Sequence, residues 1–194
     1  MRKLLPVAAA VGLIFGNHAH AIGLDLSFSD ETANLELMSP ISSLIENGGQ
    51  ASLGVFFNDV DDIVIHGKLI AVGNQTNSRL PYKLSFGAKL YGGEVDVEDG
   101  DDVDVGALAI GGAFDINLTE GFNPIDLALE GYFTPGITTF GDTESILEIG
   151  ARLSIEVVPQ AKAFLGYRLL EVEDDRNITF ELDDNVHFGI RLEF

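Results

Sequence analysis

The chain contains no cysteine and no tryptophan, and lysine and arginine together supply only 11 of its 194 residues. Without cysteine there is no disulfide framework, no thiolate metal ligand and no thiol nucleophile. The scarcity of basic residues, set against 31 acidic ones for a formal charge of −20, excludes a nucleic-acid partner, whose phosphates such a surface repels. Long apolar runs are also missing. The longest, Leu4–Phe15, has twelve residues and is broken by Pro6, short of the roughly 20 that a spanning helix needs.

Preceded by Arg2 and Lys3 and followed by Ala19-His20-Ala21, that run reads as a signal peptide over 1–21, cleaved to leave 22–194 as one domain. Past it, nine basic residues remain against the 31 acidic, or −22. Mean hydropathy is nevertheless slightly positive, at +0.21. Strands with one apolar face turned to lipid and one polar face turned to a lumen reconcile those two values.

The remaining sequence divides into short alternating segments bounded by Gly, Asn, Asp and Pro. Ten strands are predicted, at Ile22–Asp30, Ala33–Ser39, Ala51–Asn58, Ile63–Val72, Leu80–Tyr91, Val103–Phe114, Ile125–Phe133, Glu144–Val157, Ala161–Val172 and Asn185–Phe194. The second and third are short, so eight strands also fit. The one helical signal is Ser39–Asn47, where Ser39 could cap, Pro40 could open a turn and Gly48 could end it. In Asn185–Phe194, Val186, Phe188, Ile190, Leu192 and Phe194 share one parity, which resembles the closing strand of Gram-negative outer-membrane barrels that the barrel-assembly machinery reads. The expected fold is therefore an antiparallel, up-and-down transmembrane β-barrel.

One hairpin tests this internally. With the turn centred on Pro159, partners sum to 318, so Leu153 faces Leu165, Ile155 faces Ala163, Ala151 faces Tyr167 and Ile149 faces Leu169. Glu156 then meets Lys162 on the opposite face. A single register sorts both strands into one apolar and one polar face.

The same parity puts seven of the nine basic residues inward: Lys68, Lys83, Lys89, Arg152, Lys162, Arg168 and Arg191. Glu36, Asp126, Glu130, Glu148, Glu156 and Glu193 join them. A barrel of eight to ten strands is narrow enough for side chains to fill, so the expectation is a lumen plugged by ion pairs, with a small solvated pore as the alternative. The surplus negative charge falls to two outer loops, one with Glu94, Asp96, Glu98, Asp99, Asp101 and Asp102, the other with Glu173, Asp174, Asp175, Asp183 and Asp184. Val95 and Val97 would occupy ligand positions of an EF-hand loop, so these read as solvated loops. Aromatic residues near strand ends (Phe28, Phe56, Phe57, Tyr82, Tyr91, Phe114, Tyr132, Phe133 and Phe194) read as interfacial girdles.

Catalysis finds no foothold. Past the leader only His66 and His187 occur, with no nucleophile motif, metal-spaced histidine pair or phosphate-cradling loop. No catalytic, cofactor or metal residue is assigned. The Asp25–Leu37 opening, the Gly54–Asp62 hairpin, the Lys83–Gly93 strand and the terminal Phe194 are similar to the YfaZ family of small outer-membrane proteins. The resemblance implies an outer-membrane location and a barrel fold, and brings no chemistry. The sequence thus leads to a monomeric outer-membrane barrel with a structural or surface role, or alternatively a narrow solute channel. Its partners would be outer-membrane lipids including lipopolysaccharide, and the assembly machinery.

Overall fold

The structure is a computed structural model that describes residues 23–41, 48–60, 62–75, 80–95, 103–119 and 121–194. The leader at 1–21, most of the Ser39–Asn47 segment and the acidic residues between 96 and 102 lie outside the described residues.

Among the described residues eleven strands form one antiparallel sheet: β1 (Gly23–Phe28), β2 (Thr32–Pro40), β3 (Gly49–Asn58), β4 (Ile63–Gln75), β5 (Tyr82–Val95), β6 (Val103–Thr119), β7 (Ile125–Phe133), β8 (Thr139–Gly141), β9 (Thr143–Val158), β10 (Ala161–Asp174) and β11 (Thr179–Glu193). Apart from β7 and β8, each pairs with its sequence neighbours; β7 lies between β6 and β9, β8 pairs with β6, β1 pairs with β11, and the β5–β6 ladder closes the sheet. Three-residue β8 continues the line of β7. While β7 pairs with Ile110–Thr119 of β6, β8 takes up Val105–Ala107. Residues 134–138 leave the ladder between them, turned back by the Thr138 amide on the Pro135 carbonyl. The barrel accordingly has ten strand positions. Closure removes the open edges that a sheet surrounded by lipid cannot leave unpaired.

The predicted hairpin register holds at each of its five pairs. Gln160 follows Pro159 with φ of 78°, in the left-handed region that lets the reversal be tight. Other expectations are corrected. Ser39 and Pro40 belong to β2, not to a helical turn, with Ser39 opposite Ala51 and Pro40 opposite Gln50. Proline is tolerated there because it ends its strand. The outer loop expected to hold Glu173, Asp174, Asp175, Asp183 and Asp184 is a short turn: β10 runs to Asp174 and β11 starts at Thr179, leaving only 175–178 between them. Glu94 likewise lies within β5.

We call the end where β1 begins and β11 finishes the near end, and the other the far end. Strand lengths are unequal around the wall. β1, β2 and β3 have 6, 9 and 10 residues, whereas β5, β6, β9, β10 and β11 have 14 to 17. The long strands extend past the short ones at the far end.

Candidate functional site

The site is the lumen, and strand pleating builds it. On β1, Leu24, Leu26 and Phe28 face out while Asp25 and Ser27 face in and are buried. On β10, Leu165 and Tyr167 are exposed outside, and Phe164 and Gly166 are buried inside. Outward residues over most of the wall are leucine, isoleucine, valine and phenylalanine, many of them strongly exposed, such as Phe86, Leu165 and Phe188. A soluble protein hides such residues. A continuous exterior of this kind is the surface that lipid covers.

Ion pairs fill the near and middle parts of the lumen. Asp25, fully buried, receives two guanidinium groups on the same carboxylate oxygen, Arg152 at 2.6 Å and Arg191 at 2.8 Å. Lys162 meets Asp126 at 2.5 Å, and Lys68 lies 3.2 Å from Glu36 and 3.9 Å from Glu130. Lys89 donates to both oxygens of Glu148, at 2.9 and 2.7 Å, and Tyr91 donates to the same carboxylate. Arg191 and Asp25 are direct partners on adjacent strands, whereas the other contacts join strands two and three places apart around the wall and so cross the interior. Aromatic faces help hold the cations. Lys89 lies over Tyr91 and Tyr132, Arg152 sits 3.9 Å from the centre of Phe164, and Arg168 lies 5.0 Å from that of Phe56.

The two histidines are lumen residues held against glycines. His66 Nε2 is 3.1 Å from the Asn34 side-chain oxygen. A Cβ on Gly54 would stand 2.3 Å from the His66 ring, and one on Gly166 would stand 2.5 Å from His187. Glycine at these places makes room for the ring opposite. Among the described residues no three acidic or histidine side chains gather to hold a metal.

At the far end the filling changes. Phe56, Val64, Val95, Val103, Val105, Ile146, Leu170, Val172 and Leu182, all buried, form one apolar cluster inside the barrel with Phe180 packed against it. This cap fills the far part of a lumen that was expected to be plugged by ion pairs. Phe56, Tyr91 and Tyr132 point into the interior as well and are buried, so they are not girdle residues as expected. Phe28, Phe57 and Phe133 do face outward.

Of the predicted inward cations, six make the ion pairs above or the pair of Arg168 with Asp183 at 2.5 Å, while Lys83 is exposed at the near end. Glu193 is also exposed at the near end. The sequence reading missed Asp25 and Asp183. Asp25 was legible, because its parity opposes that of Leu24 and Leu26. Asp183 was hidden by a bulge: Leu170 pairs with Asp183 and Glu171 with Glu181, so Leu182 is an extra residue and both Leu182 and Asp183 point inward.

The fold and its lumen define a class, a closed antiparallel barrel with an apolar exterior and a charged, internally paired interior. No family model and no curated protein matches the chain. Among solved structures, it is similar to the outer membrane channel DcaP of Acinetobacter baumannii, with 11% identity, a TM-score of 0.43, 88% of this chain and 54% of that chain covered. This chain thus spans about half the DcaP chain. It is also similar to the KdgM porin (15% identity, TM-score 0.40, covering 90% of this chain and 99% of that one) and to the NanC porin (14%, 0.39, 91% and 99%). At such identity nothing about solutes passes from those proteins to this one.

Proposed function

We propose that this chain is a small outer-membrane barrel of the YfaZ type whose lumen is closed, and that it serves a structural or surface-presenting role. The observation that carries the reading is the cap. Val64, Val103 and Val172 are each 1% exposed and Ile146 is 2% exposed, so these side chains pack closely against one another across the far end. The apolar exterior supports a membrane environment, with lipids and the lipopolysaccharide layer as its surroundings. In the same reading residues 1–21 direct export and β11 is the strand that the assembly machinery engages.

A second reading, a narrow channel for small solutes, draws on the other half of the lumen. Near-end charges stay partly open to water, with side-chain exposure of 33% for Arg191, 30% for Lys162 and 31% for Glu130. Displacing the cap would join that vestibule to the far side, since an apolar constriction can gate by dewetting. DcaP is described as an outer membrane channel, and KdgM and NanC as porins; the second reading would give this chain a comparable role. Planar-bilayer recording separates the two. Purified barrel, shown folded by a gel shift on boiling, should give no unitary openings under the closed-lumen reading. Stable, ion-selective openings would replace it with the channel.

A further inference from the structure

The far parts of the long strands keep their alternation but exchange its contents. On the outer face, Glu94 stands directly opposite Asp104 and Glu171 opposite Glu181. On the inner face beside them, Val95 stands opposite Val103, and Val172 opposite both Ile146 and Phe180. Two residues toward the near end the order is reversed: Leu169 and Ile149 pair outside, while Arg168 and Gly150 pair inside. Leu169-Leu170 is the step between the regimes on β10, two adjacent apolar residues of which the first faces out and the second in. On β11 the inner face changes at the bulge, between Leu182 and Asp183, and the outer face at Asp184, the exposed residue opposite Leu169.

Directly opposed carboxylates repel, and that repulsion is tolerable in water but not in hydrocarbon. An apolar interior, conversely, is what a barrel wall needs when water is on its outside. We propose that the lipid-covered surface ends at this step, and that β5, β6, β9, β10 and β11 continue beyond it as a rigid collar standing in water. The collar has the inside-out order of a soluble barrel. Transmembrane strands need about 9–11 residues, and 14 to 17 leave enough for the extension. The collar is one-sided, because β1, β2 and β3 stop at 6, 9 and 10 residues. Acyl chains are therefore the partner of the exterior below the step, and the aqueous headgroup layer is its partner above.

This placement rests on the membrane reading above, and the test separates the two. With no tryptophan in the chain, single substitutions report without background. Leu153→Trp marks the lipid-facing wall, and Glu181→Trp and Glu94→Trp mark the collar on opposite stretches of it. Each variant, confirmed as folded by its gel shift, is reconstituted in phosphatidylcholine vesicles with brominated acyl chains. Quenching of Leu153→Trp should exceed that of either collar variant at least about threefold, since bromines lie within a hydrocarbon core roughly 30 Å thick. Aqueous acrylamide should give the reverse order. Collar tryptophans quenched by bromolipid as strongly as Leu153→Trp would overturn the collar and leave the membrane barrel standing. Failure of bromolipid to quench Leu153→Trp would overturn both.

Discussion

Below the Leu169–Leu170 step the barrel holds lysines, arginines and carboxylates inside and leucines outside; above it, valines are inside and carboxylates outside. Antiparallel pairing runs through both regions, interrupted at the step by the β11 bulge. What differs is which face meets an apolar surrounding. In the lower region the interior gives its polar groups little water, least at Asp25, Lys89 and Glu148, so the side chains satisfy one another. In the upper region apolar burial inside the wall supplies stability as in a soluble protein. The comparison teaches that strand parity says which residues share a face, while the surroundings decide which face is the apolar one.

The sharpest way to break the comparison is to unpair a charge in the lower region. Lys89 and Glu148 have side chains only 5% and 4% exposed. Lys89→Met leaves the Glu148 carboxylate buried with only Tyr91 as donor, and removal of one partner of a buried pair costs about 3–5 kcal/mol. The double variant Lys89→Met/Glu148→Met should recover most of that loss, because an apolar replacement of the whole pair is often neutral. Denaturant midpoints read from the gel shift check this; equal destabilisation in the single and double variants would show that the pair is not what holds the wall there. Next in size is the cap. Ile146→Ala removes a 2% exposed side chain that projects from β9 into the cap opposite Val172 of β10, and isoleucine-to-alanine changes in cores cost about 2–5 kcal/mol. A loss below about 1 kcal/mol would mean that the cap is loosely packed and no true core.

How much of this was legible follows from the same contrast. Strand number and the β9–β10 register were readable because alternation there is uninterrupted from Ile149 to Leu169, and a single apolar parity runs through both strands. Inward Lys68, Lys89 and Arg152 were readable for the same reason. The far end was not. Where polarity inverts, L-L-E-V-E-D looks like a strand giving way to an acidic loop, so the strand seemed to end near Val172 and to resume only at Asn185. Phe56, Tyr91 and Tyr132 were misplaced because nearness to a strand end suggests a girdle, whereas parity puts them on the inner face. Asp183 needed the bulge, and a bulge changes parity without leaving a residue type that announces it.

The smallest effect concerns the β10–β11 turn at the collar's edge, outside the lipid-facing wall. Asp174 is fully buried and accepts from the backbone N–H groups of Arg176 and Ile178, each at 2.9 Å, and from Arg176 Nε at 2.7 Å. Burial alone would push its carboxyl up, but the backbone hydrogen bonds and the Arg176 guanidinium outweigh burial and hold it below its ordinary 3.8. A lowered native value means that the unfolded turn binds protons more readily. The contribution is therefore complete above about pH 4 and disappears as pH falls through the lowered value. Amide exchange at Asn177 and Ile178, corrected for the intrinsic pH dependence, should show protection lost in that acid window. Asp174→Asn should start with weaker protection and show no such window. A protection profile in the native protein that stays flat into that range would show that backbone closure of the turn, through the Asp174 amide on the Ile178 carbonyl at 3.0 Å, suffices without the carboxylate.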